Sequence, residues 1–160
     1  MASRPPVSDH TLDIAAYPAA ILEAFFNPAA LAVWWNAVRA VTTPRMLGIY
    51  AIEWAPTAIR DDMFGPLGGV LYGTVVDYKP GRSFLIAEAH WLPPESEPVG
   101  PMAVNVECTL VAGVTKLRVL QTGGDDTPRW RHYYDITTQG WTGSLAALKT
   151  YLEAPPPYGS

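Results

Sequence analysis

The last long stretch of the chain, residues 128–152, constrains the rest more than any other. Trp130, Tyr133, Tyr134, Thr137, Trp141, Leu145, Leu148 and Leu152 recur at spacings of three and four. That places them along one side of a 3.6-residue helix. Asp125, Asp126 and Thr127 offer an N-terminal cap, and Pro128 suits a first turn. Ala154 and the prolines after it stop the helix. Such a helix must bury its apolar stripe on something, and a curved sheet is the surface that fits.

The preceding residues supply the strands. Leu12 and Ile14 share a face of a first strand, which Tyr17 and Pro18 end. Pro18 then opens a short helix carrying Ile21, Leu22, Phe25 and Phe26, and Asn27-Pro28 divides it from a second that runs to Trp35. Residues 37–42 form a possible strand and 48–54 a clear one, whereas 55–68 read as a loop or a flap over one end of the sheet. Segments 69–79 and 82–92 make a hairpin around Lys79-Pro80-Gly81. Residues 93–101, with four prolines, read as an exposed loop. Two more alternating strands follow, joined by Ala112-Gly113. Successive hairpins imply antiparallel pairing, and helices segregated from strands make the fold α+β.

Size and charge set limits on the rest. A chain of 160 residues is expected to form one domain, here residues 9–153, with flexible tails at 1–8 and 154–160. Eleven basic residues against fifteen acidic ones give a net charge of −4, without the basic block a nucleic-acid partner needs. Cys108 is the only cysteine, so neither a disulfide nor a thiolate metal cluster is expected. No apolar run reaches the ~20 residues of a membrane span, and the first residues lack the core of a signal peptide. Integral membrane association is therefore not expected, and cytoplasmic residence is. His10, His90 and His132 are widely spaced, and Asp61-Asp62 reads as solvated loop charge. No metal or other cofactor is expected. Gly65-Pro-Leu-Gly68-Gly69 lacks the lysine and following helix of a phosphate loop, and Ser144 lies inside the last helix rather than on a nucleophile elbow.

The succession Tyr17-Pro18-Ala-Ala-Ile-Leu-Glu-Ala-Phe, Asn27-Pro28-Ala-Ala-Leu, Trp34-Trp35, Gly73-Thr-Val-Val-Asp-Tyr-Lys-Pro80, the strand 114–123 and Gly140-Trp141 with Leu145 and Leu148 resembles the START-like superfamily. Its other names are Bet v 1-like and SRPBCC, and the branch is that of the C-terminal domain of the Hsp90 ATPase activator Aha1. The likeness covers about residues 9–153. It implies a helix-grip fold, in which about seven antiparallel strands wrap the last helix and two short helices close one end. It also implies a cavity between sheet and helix, which in different branches holds lipids, sterols, hormones or polyketide intermediates. The chain departs from the branch at Leu47-Gly48, where two glycines are usual, so residues 43–66 are expected to run differently.

The candidate pocket residues follow from strand and helix phase. Tyr50, Ile52 and Trp54 share one face, and Val106, Val119 and Gln121 point inward from two later strands. Tyr133, Thr137 and Trp141 lie on the inner stripe of the last helix, where Gly140 sacrifices helix propensity. Of Trp34 and Trp35, one indole is expected under the sheet and the other at a pocket rim. From Phe84 and Ile86 a strict two-residue period carries Glu88 and His90 inward. Buried charge without partners is costly, so either they meet a ligand or a bulge shifts the register and leaves them outside. The favoured reading is a non-catalytic domain for a small apolar or amphipathic molecule, as a monomer or homodimer. A cyclase or dehydratase acting on a polyketide-type substrate is the alternative, with His90 or Glu88 as base and Tyr133 or Gln121 stabilising an enolate. The resemblance adds a third, an Hsp90-cochaperone-like interaction module.

Overall fold

The computed structural model describes residues 4–155. The outer parts of the expected tails, residues 1–3 and 156–160, lie outside the described residues. β1 (Ser8–Ile14) is followed by α1 (Pro18–Phe26) and α2 (Pro28–Trp34). Next come β2 (Arg39–Thr42), β3 (Ile49–Trp54), the two-residue strands β4 (Arg60–Asp61) and β5 (Gly65–Pro66), then β6 (Gly69–Lys79) and β7 (Ser83–Leu92). β8 (Val99–Val111), β9 (Val114–Thr122) and α3 (Pro128–Glu153) complete the chain. Seven strands pair antiparallel in the order β1-β9-β8-β7-β6-β3-β2, while β4 and β5 form a separate pair. This is the α+β helix-grip fold, with the sheet curved around α3 and two short helices after the first strand.

Asn27 is the hinge between the short helices. Its backbone N–H closes α1 by donating to Glu23 O (2.8 Å), and its side-chain oxygen caps α2 by accepting from Ala29 N (2.9 Å). One asparagine thus satisfies orphan groups of two helices, with Pro28 suited to the first turn of the second. Both helices press their apolar faces onto one half of the sheet. There Phe25, Phe26, Trp34 and Phe84 pack edge-to-face at centroid distances of 4.8–5.6 Å. Trp34 donates its indole N–H to Ala24 O at 2.9 Å within this core.

α3 begins where Thr127 accepts from Trp130 N, so Thr127 rather than either aspartate makes the cap. Tyr133, Tyr134, Trp141, Leu145 and Leu148 are its buried positions, as the helical spacing requires. No helix among the described residues is long and apolar enough to cross a membrane.

Three expectations are corrected. Ser8, assigned to a tail, is 1% exposed and pairs with Gln121 in the β1–β9 ladder. The proline-bearing segment is shorter as a loop: Val99 is already buried and opens β8 opposite Trp91. Asp61 is not a solvated loop charge. Its carboxylate accepts from Met63 N and Phe64 N, both at 2.9 Å, and lies 2.7 Å from His132 Nε2 on α3. It thereby ties the β4–β5 flap to the long helix.

Leu47 holds a left-handed φ of +64° while its N–H donates to Val75 O. A Cβ on Gly48 would lie 2.2 Å from Thr43 O, so only glycine fits there.

Candidate functional site

Leu145 and Leu148 of α3 are sealed in the core, whereas between Tyr133 and Ser144 one side of the helix leaves a gap to the sheet. The gap is a hydrophobic cavity of about 540 Å³. Its walls are Trp35 from the end of α2, Trp54 from β3, Leu71 from β6, Trp91 from β7 and Gln121 from β9. Tyr133, Ile136, Thr137, Gly140, Trp141 and Ser144 of α3 face them, and Asn36 with flap residues 55–57, 67 and 68 completes the rim. No Asp, Glu, Lys, Arg or His belongs to this lining. The volume falls within the range usual for small-molecule pockets.

Four of the walls are indoles, and each is fixed in place. Trp35 stacks on Trp34 at 4.8 Å and meets Trp141 at 5.1 Å. Trp54 donates to Trp35 O and Trp91 to Gly68 O, both at 2.8 Å. The second bond holds the flap against β7. Phe64 at the flap tip is 1% exposed, wedged against Trp91 (5.3 Å) and His132 (5.8 Å), with the Arg129 guanidinium 5.2 Å from its ring centre. The flap is therefore seated on an aromatic plug and on the Asp61–His132 contact together. Burial pushes the Asp61 carboxyl up, but the Phe64 N–H, the His132 ring and the Met63 N–H outweigh it and hold it below the usual carboxylate range.

The polar end of the cavity is a chain of hydrogen bonds. Trp141 Nε1 donates to Gln121 Oε1 at 2.8 Å. Gln121 Nε2 donates to Tyr133 Oη at 2.9 Å and to Met102 Sδ at 3.2 Å. Gln121 is 2% exposed, and these partners satisfy its amide. Burial raises the Tyr133 phenol above its ordinary pKa, against the opposing hydrogen bonds of Thr137 and Gln121. At neutral pH the phenol therefore keeps its proton.

Of the residues singled out by sequence, Trp54, Gln121, Tyr133, Thr137 and Trp141 come together around this space. Tyr50, Ile52, Val106 and Val119 do point inward, but they are fully packed core outside the cavity lining. Tyr50 donates its hydroxyl to Phe25 O at 2.8 Å, under the helices that fill that half of the sheet. The inward reading of Glu88 and His90 is corrected, and the backbone takes the bulge alternative. Ile86 pairs with Val104 but Ala89 with Met102, so β7 carries one extra residue. Glu88 occupies that bulge with φ +52° and is exposed. The register flips there, turning Ala89 and Trp91 inward and placing His90 on the outer face, where it stacks on Tyr72 at 5.4 Å.

Trp91 is the wall residue that strict alternation misses, because the bulge brings it in. The signal lay on the neighbouring strands. A Cβ on Gly73 of β6 would come within 2.6 Å of Ile86, and one on Gly100 of β8 within 2.5 Å of His90. Among the described residues no group of His, Cys, Asp and Glu could hold a metal. Burial pushes the Cys108 thiol up to about 12, which leaves it an inert core residue.

Comparison with known proteins agrees with this geometry. Protein MLL2253 from Mesorhizobium loti superposes with a TM-score of 0.71 at 20% identity, over 94% of this chain and 99% of that one. Protein Ms6760 from Mycobacterium smegmatis gives 0.72 at 14% identity, over 94% and 92%. The Aha1 dimer from Colwellia psychrerythraea gives 0.64 at 16% identity, over 93% and 97%. At these identities the likeness is one of fold. No curated protein matches the chain. The family described as activator of Hsp90 ATPase homolog 1-like protein matches residues 15–153, so the chain belongs to that family, within the START-like or SRPBCC superfamily.

Proposed function

We propose that the chain binds an uncharged apolar or amphipathic small molecule in the cavity between the sheet and α3. The observation that carries this reading is the lining itself: four indoles and a phenol around about 540 Å³, one hydrogen-bonded polar end, and no charged side chain. Burying apolar ligand area there supplies about 25 cal/mol per Å², and the Gln121–Tyr133 end supplies orientation. Native mass spectrometry of the purified full chain, with a solvent extract of the same sample, tests it. A small molecule released on denaturation is the expected result. A protein that emerges empty and takes up no aromatic probe overturns the reading.

A second reading rests on the family itself. Its description names activation of the Hsp90 ATPase, and the comparisons favour an interaction module more directly than they favour any ligand. Val41, Ile49, Tyr72 and Val76 stand exposed on the outer face of β2, β3 and β6, the kind of apolar surface a protein partner covers. Measuring the ATPase rate of Hsp90 with and without the chain separates the two, since a pure ligand carrier leaves that rate unchanged. The third reading, a cyclase or dehydratase, loses its proposed base, because neither Glu88 nor His90 reaches the cavity. We place the protein in the cytoplasm as one domain that begins at Ser8 and ends at Glu153, a monomer or a homodimer, the latter by analogy with the Colwellia Aha1 dimer.

A further inference from the structure

Resting on the cavity reading, we propose that the site selects an uncharged ring compound presenting a hydrogen-bond acceptor, a carbonyl or ether oxygen, to Tyr133. The argument is one of direction. An indole N–H can only donate, so Trp141 fixes the oxygen of the Gln121 amide on its own side. The amide NH₂ must then face the other way, toward Tyr133 Oη and Met102 Sδ. Its two hydrogens are spent on those two atoms. Tyr133 oxygen thereby receives a bond from Gln121, and the single phenolic proton has to point elsewhere.

The Thr137 hydroxyl, one helical turn on at the cavity wall, favours the phenolate and so donates to the same oxygen, which leaves the phenolic proton unspent. Every bond from Trp141 through Gln121 to Tyr133 thus donates toward the empty space. A ligand oxygen that accepts completes the series. A ligand N–H arriving at the same point meets a proton instead of a lone pair. Orientation of the amide is usually a matter of assignment, but here the donor-only indole decides it.

Charge and shape narrow the class further. With no Lys, Arg or His in the lining, an anion would be desolvated without a partner, which is costly. Flat indole walls favour ring systems through offset and edge contacts. The site thus specifies a neutral ring compound with one accepting oxygen.

Four tricyclic probes of matched shape test this by equilibrium dialysis against the full chain: fluorene, 9-fluorenone, carbazole and 9-fluorenone-4-carboxylate. Fluorene offers neither donor nor acceptor, fluorenone only an acceptor, and carbazole only a donor. Fluorenone is expected to bind about three- to tenfold tighter than fluorene, the worth of one neutral buried hydrogen bond. Carbazole should gain nothing, and the carboxylate should bind weakest. Tyr133→Phe should abolish the preference for fluorenone over fluorene. Gln121→Glu, whose carboxylate accepts from both Trp141 and Tyr133, should turn the phenolic proton inward and reverse the order of fluorenone and carbazole. Equal binding of the three uncharged probes, or a preference for carbazole in the native protein, overturns the assignment and leaves the cavity reading standing. Binding of none of them sinks both.

Discussion

Two side chains decide whether the cavity keeps its roof. Phe64 plugs the flap into the space beside Trp91 and Tyr133, and Asp61 locks the same flap to His132. Truncating a fully buried phenyl leaves a void that its neighbours fill only in part. Phe64→Ala is therefore expected to cost about 3–5 kcal/mol, read as a shift of the urea midpoint. At this scale the legible positions were Gln121, Tyr133 and Trp141, whose phase follows from uninterrupted runs of strand and helix. Glu88 and His90 were illegible for a physical reason. One inserted residue reverses every later side chain, and nothing within 82–92 marks it, because its room is made by glycines on the two adjacent strands. Asp61 was misread for a related reason: its partner His132 is 71 residues away and reaches it only once the flap folds over α3.

At the scale of elements, the glycines distinguish packing from access. Gly73 sits where β6 crosses the β7 bulge, and a methyl there would also lie 3.1 Å from Ala87 O. Gly73→Ala should destabilise by about 1–3 kcal/mol through overpacking. Gly140 is the opposite case. A Cβ at that position meets nothing within 4 Å, although the residue borders the cavity. The sacrifice of helix propensity there makes room for no strand. Gly140→Ala should therefore raise stability by up to about 1 kcal/mol, the difference in helix propensity, checked by urea unfolding beside the native chain. The long helix, the two short ones and all the strands of the main sheet were readable from periodicity and punctuation. β4 and β5 were not, because pairs of two residues carry no period.

For the whole molecule, the pH response follows from four groups with lowered pKa values. The Arg118 hydrogen bond holds Asp9 below the usual carboxylate range, the Ala15 N–H and Lys149 do the same for Glu153, and Asp61 joins them. Burial lowers His10 against the opposing charge of Asp9. Each group binds its proton more weakly when folded, so the unfolded chain takes up protons first on acidification. The His10 contribution is present above its unfolded pKa of about 6.5 and declines as pH falls below it. The carboxylate contributions persist to about pH 4 and are lost as pH falls through their depressed folded values. Urea midpoints from pH 8 to 2 should decline in those two ranges. Asp61→Asn should reduce the lower step and spare the upper one.

Trp35, Trp54, Trp91 and Trp141 are four of the six tryptophans of the chain, and all four border one space. Their excited states are correspondingly coupled to whatever fills it. A ring compound entering the space will quench or shift the emission of most of the fluorophores at once, and Trp34, stacked on Trp35 at 4.8 Å, is coupled to the same space. The protein is its own optical reporter of occupancy, and a library of compounds can be read against it without a label.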